Sequence, residues 1–151
     1  MRNYIEKNRK NKKMLLAKSE IKNSSQVFSS ENEGPEQYCG AGSHPDVVQR
    51  VWIELGKHFP KESKCHIFGS PALYNPQTGL IFAICNGTRY CIRIPESRLE
   101  EAKDFGLMES TTWSGGATTN VSEEYGHGWL FGAWHDKEEE FCKEMYESSA
   151  F

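Results

Sequence analysis

Five cysteines, at positions 39, 65, 85, 91 and 142, are the most reactive side chains of this sequence, and their number is odd. No two of them have the C-x-x-C spacing of a zinc or redox site, so reduced thiols in a reducing compartment are expected. Cys65-His66 brings together the residue types of a thiolate–imidazole pair. Adjacent side chains on a strand point to opposite faces, however, and the two do not meet. His127 and His135 stand eight residues apart. On an extended strand that is about 26 Å, too far for a shared metal ion. No phosphate loop, zincin helix or serine elbow occurs. Glu123-Glu124 and Glu138-Glu139-Glu140 read as solvated charge and helix-start acids rather than a catalytic carboxylate pair. These residues imply no catalytic group, cofactor or metal site, and they favour binding over catalysis.

Positioning any site requires a fold, and the spacing of apolar residues predicts one over 44–151. Pro45-Asp46 opens a helix of about 46–58, whose apolar face is Val47, Val48, Val51, Trp52, Leu55 and Phe59. Three β-rich stretches follow: Lys64–Tyr74 (interrupted at Gly69-Ser70-Pro71), Leu80–Cys85 and Thr88–Ile94. Asn86-Gly87 between the last two predicts a type I′ hairpin. Pro95 opens a second helix with a Ser97-x-x-Glu100 capping box, and Gly106 closes it. A short strand is expected at 111–113 or 117–121, and a last strand at Gly128–Trp134. Asp136 with Glu139 then starts a final helix with Phe141, Cys142, Met145 and Tyr146 on one face. The order is that of a two-layer α+β domain, an antiparallel sheet with helices mainly on one face.

A two-residue turn at Asn86-Gly87 sets Cys85 opposite Thr88 and Cys91 opposite Phe82. The two cysteines then lie on opposite faces, where no disulfide can form. The same register gives Ile81, Ala83, Cys85, Tyr90, Ile92 and Ile94 to the helix-covered face. Leu80, Phe82, Ile84, Arg89, Cys91 and Arg93 fall on the other face, with Trp129 and Phe131, or Leu130 and Trp134, adding apolar surface. An open apolar patch of this kind marks an interface or ligand groove. Leu80, Phe82, Ile84, Arg89, Arg93 and Trp129 are therefore the candidate binding residues. They serve either a protein partner (a second copy of the chain included) or, in the alternative reading, a small enzyme or anion-binding protein that clamps a carboxylate or phosphate with Arg89 and Arg93.

The stretch Ile67-Phe68-Gly69, Leu73-Tyr74, a glycine turn, Ile81-Phe82-Ala83 and Tyr90-Cys91-Ile92-Arg93 resembles the TfoX N-terminal domain family, and Gly128-Trp129 before an acidic helix adds to the likeness. It covers about 44–147. The resemblance implies an α-β(3)-α-β(2)-α fold and a non-catalytic regulatory or protein-binding module. Ser70-Pro71 departs from the family's second glycine, and the C-terminal domain of the full-length competence regulator has no counterpart here, so that regulator's activity does not carry over.

Residues 1–22 hold eight Lys or Arg against Glu6 and Glu20, leaving ten basic and nineteen acidic residues in the remainder. An acidic body disfavours nucleic acid except for weak contact through the basic segment. Residues 1–43 are expected to be a flexible basic tail and linker, with at most a short helix around 4–18. No apolar run reaches the ~20 residues of a membrane-spanning helix. No secretory leader is evident either, since Met14-Leu15-Leu16-Ala17 is the longest apolar stretch of the segment. A cytoplasmic location is expected.

Overall fold

A computed structural model of the protein describes residues 2–21, 28–29, 43–109 and 121–148. The expected strand at 111–113 or 117–121 lies outside the described residues up to position 120, and Val121 begins a helix. Six strands form one antiparallel sheet whose spatial order is their chain order. They are β1 (Phe28–Ser29), β2 (Lys64–Ile67), β3 (Ser70–Tyr74), β4 (Ile81–Asn86), β5 (Arg89–Arg93) and β6 (Trp129–Phe131). The helices are α1 (Arg2–Lys7), α2 (Lys12–Ile21), α3 (Pro45–Val48), α4 (Leu99–Asp104), α5 (Val121–Tyr125) and α6 (Lys137–Glu147). The class is α+β.

The α3 helix continues as a π-helical stretch through Leu55 and a 3₁₀ turn to His58, close to the predicted span. His44 caps it, its Nδ1 accepting from the Asp46 N–H at 3.1 Å. The two predicted capping boxes are not made: α4 and α6 lack a side-chain cap, and a 3₁₀ turn at Glu96–Arg98 leads into α4. At α6 the His135 Nδ1 accepts from the Lys137 N–H instead.

Lys64–Tyr74 is a hairpin rather than one interrupted strand. Its turn residues Phe68 (φ 48) and Gly69 (φ 86) both adopt the left-handed backbone that a type I′ turn demands. The next hairpin turns one residue later than predicted. Asn86 pairs with Arg89, and Gly87 (φ 69) alone takes a positive φ, as at the first central position of a type II′ turn. That shift moves the cross-strand partners along by two and leaves the faces alone. Cys85 is opposite Tyr90, Cys91 is opposite Ile84, and the two cysteines occupy different cores.

A bulge does change the faces. Leu73 pairs with Ala83 and Tyr74 with Ile81, so Phe82 is the extra residue. Phe82 and Ala83 consequently share one face, and residues before the bulge are reversed relative to a regular strand. Leu80 and Phe82 join Ala83, Cys85, Tyr90 and Ile92 in a core closed by α3, α4 and α6. Ile81 moves to the opposite core.

That opposite face is covered as well. Ile5 and Met14 from the first two helices, with Val121 and Tyr125 of α5, close over Ile67, Ala72, Tyr74, Ile81, Ile84, Cys91, Trp129 and Phe131. Residues 5–18 are thus packed onto the sheet rather than free, a correction to the tail reading for that part of 1–43. Asn11 fixes the attachment. Its Nδ2 donates to the Gly79 and Ile5 carbonyls at 2.6 and 2.9 Å, and its Oδ1 accepts from the Ile81 N–H at 2.9 Å. The buried ammonium of Lys18 donates to Ser70 Oγ at 3.2 Å and the Cys85 carbonyl at 3.4 Å. No described helix is long and apolar enough to cross a membrane.

Candidate ligand groove

None of the four candidate apolar residues is exposed. Leu80, Phe82, Ile84 and Trp129 are fully buried, so the open sheet face inferred from the register does not exist among the described residues. Phe82 is sealed by the rings of Phe59 and Tyr146, with centroids 4.8 and 5.8 Å away. Ile84 and Trp129 lie in the core under the N-terminal helices. Arg89 and Arg93 share a strand face but not a site. Arg89 stacks over Phe131 with its guanidinium 5.2 Å from the ring centre. Arg93 stacks over Trp129 at 5.8 Å and turns its Nη1 to the Lys10 carbonyl at 3.0 Å.

Arg93 stands at the edge of a groove of about 530 Å³, at the end of β5. Volumes of 300–1,000 Å³ are usual for small-molecule sites. One wall is Lys10 and Arg93, and another is the C-terminal end of α6, with Glu144, Met145, Glu147 and Ser148. Glu96 and His127 stand at the mouth, where the His127 Nε2 and Glu96 Oε1 are 4.0 Å apart. Gly128 (φ 99) allows the floor to close, since a Cβ there would sit 3.2 Å from the Ile94 carbonyl oxygen. Its own carbonyl accepts from the Ile94 N–H at 2.8 Å.

The electrostatics of this groove are uneven. Burial pulls the Arg93 guanidinium down to about 10, because desolvation penalises its charge. Among the described residues neither Arg93 nor Lys10 enters an ion pair, and nor does Glu147. Glu144, by contrast, is held by Arg98 Nη1 at 2.9 Å.

A second polar cluster lies at the opposite end of β5 and was missed in the sequence. Glu138, read there as a solvated helix-start acid, has no exposed surface. Its Oε1 accepts from Tyr90 OH at 2.6 Å and from Arg50 Nη2 at 2.7 Å, and its Oε2 from the Ala133 N–H at 2.7 Å. Tyr90 OH accepts in turn from the Trp134 N–H at 2.7 Å, holding Trp134 at φ 59. Burial and the neighbouring Glu138 push the Tyr90 hydroxyl far above its ordinary range. Each partner is satisfied, so the cluster is a clamp joining the π-helical continuation of α3 to β5 and α6.

Among the described residues the thiols offer no nucleophile. Cys65, Cys85, Cys91 and Cys142 are unpaired and buried, and burial pushes each thiol well above its usual range. Cys65 and His66 face opposite ways as strand alternation requires, Cys65 in the second core and His66 edge-on to Trp52. Among the described residues no three His, Cys, Asp or Glu gather as a metal site would need. Compared with known proteins, the chain matches no family model, no curated protein and no solved structure.

Proposed function

We propose that this chain is a non-catalytic binding module whose ligand presents an anionic group to Arg93 in the groove between Lys10 and the end of α6. The observation that carries this reading is Arg93 itself. It is a half-buried guanidinium on the wall of a 530 Å³ groove, with a backbone carbonyl and an aromatic ring as its described partners. A guanidinium desolvated in this way recovers free energy when a carboxylate or phosphate reaches its remaining donors. Inorganic phosphate titrated into the full chain at low ionic strength, followed by calorimetry, tests the reading. Binding that disappears in Arg93→Gln is the expected result, and binding indifferent to that substitution would overturn it.

The regulatory module suggested by the likeness to the TfoX N-terminal domain is the second reading, with a protein partner or a second copy as its target. A surface other than the sheet face supports it. Trp134, Phe105 and Met108 are 51, 37 and 42 % exposed, and the 105–108 segment runs alongside 131–135. Sedimentation of the wild type and Trp134→Ser tests self-association through this edge. Identical monomeric behaviour of both would remove the self-association arm of that reading.

A further inference from the structure

We infer that the groove takes a dipolar ligand, an amino acid or short peptide that carries an anionic group for Arg93 and Lys10 and an ammonium or guanidinium group for Glu147. The inference rests on the reading of the groove as a ligand site and adds the second half of the ligand.

On α6 every charged side chain before Glu147 has an ionic partner. Arg98 gathers Glu101, Glu140 and Glu144, Lys137 reaches Glu101 and Glu140, Lys143 pairs with Glu139, and Lys103 reaches Glu100 and Glu109. The groove breaks this pattern. Lys10 and Arg93 on one wall and Glu147 on the other line a single cavity, yet among the described residues none of the three has an ionic partner. Separate anchorage keeps the two signs apart. Arg93 is fixed by its strand, by Trp129 and by the Lys10 carbonyl, while Glu147 closes the last turn of α6. Opposite charges held across a cavity without meeting are complementary to a molecule with the reverse arrangement. An anion alone would satisfy Arg93 and face the repulsion of Glu147, Glu144 and Glu96, and a cation alone would meet the reverse penalty. Only a ligand bearing both avoids each.

Glu144 is unsuited to be the main acidic anchor, because Arg98 already holds it. Glu96 is 76 % exposed at the mouth beside His127, which leaves Glu147 as the carboxylate for the ligand's cation. Met145, buried between the two glutamates in sequence, supplies an apolar strip for the ligand's middle.

The test is calorimetric titration of the full chain at low ionic strength with four probes: acetate, ethylammonium, 6-aminohexanoate and triglycine. An exposed charge pair is worth up to about a fivefold change in affinity. At least one dipolar probe should therefore bind about threefold or more tighter than acetate, with ethylammonium weaker still. Glu147→Gln should cancel that advantage and tighten acetate binding by up to about fivefold, since one repelling carboxylate is gone, whereas Arg93→Gln should abolish binding of acetate and dipolar probes alike. Acetate binding as tightly as both dipolar probes would overturn the inference and leave the anion groove standing. A dipolar advantage that survives Glu147→Gln would overturn the assignment of the acidic anchor. Absence of binding by acetate and both dipolar probes would overturn the inference and the groove together.

Discussion

Replacing Asn11 with alanine tests whether the N-terminal helices belong to the fold. The Asn11 side chain is fully buried and makes three hydrogen bonds, to the Ile5 and Gly79 carbonyls and from the Ile81 N–H. A net hydrogen bond contributes about 1 kcal/mol, and a buried donor left without a partner costs about 1–3 kcal/mol. Asn11→Ala strands the Ile81 N–H at the start of β4, beneath the helix that has lost its anchor, so a loss of about 3 kcal/mol follows. With a urea slope of about 2 kcal/mol/M, the unfolding midpoint should fall by about 1.5 M while the slope is unchanged. Lys12→Ala, one residue along on the exposed side of the same segment, should stay within about 0.5 kcal/mol of wild type. A midpoint shift below about 0.3 M for Asn11→Ala would refute the packing of this segment and restore a free tail.

Other consequences concern the rest of the molecule. Phe82→Ala should cost about 3–5 kcal/mol, because the bulge places its ring in the main core; a loss under 1 kcal/mol by denaturant titration would contradict that placement. Glu138→Ala should cost about 3–5 kcal/mol, since Arg50 is left buried beside its vacated partner; thermal and denaturant unfolding check it. In acid the helix α6 surface should loosen. Arg98 holds the Glu101 and Glu140 carboxyls below their ordinary range, and Lys143 does so for Glu139. Their folded-state pKa values are depressed, so the stability they add is present above about pH 4.5 and is lost as pH falls through the folded values. High salt should flatten that dependence in a melting-temperature series, and a series insensitive to salt would contradict it.

How far the sequence discloses this molecule depends on what kind of interaction sets each feature. The helix over 45–58 and the final helix were legible because a periodic apolar face is written locally. The glycine turns were legible to within one residue, Asn86-Gly87 marking a hairpin that turns at Gly87-Thr88. The bulge at Phe82 was not, since Leu80 to Cys85 is apolar at every position and shows no alternation for a slip to disturb. One inserted residue then reversed Leu80, Ile81 and Phe82 and took two of the binding candidates, Leu80 and Phe82, into the main core. The N-terminal cover escaped for a different reason. Its buried stripe is Ile5, Asn8, Asn11, Met14 and Lys18, helically spaced but only two-fifths apolar, and its polar members are satisfied by backbone and Ser70 groups distant in sequence. Glu138 likewise looks identical in sequence to its solvated neighbours Glu139 and Glu140, and only the tertiary approach of Arg50 and Tyr90 distinguishes it. Of the candidate site, Arg93 alone keeps a role in the groove.

Backbone amide shifts during a phosphate titration of the isotopically labelled full chain address the groove most directly. Changes centred on Arg93, Ile94, Glu96, His127 and Gly128, together with the Arg93 Nε–H, and lost in Arg93→Gln, are the outcome the groove predicts. Shifts centred elsewhere on the molecule, or none at millimolar phosphate, would contradict it.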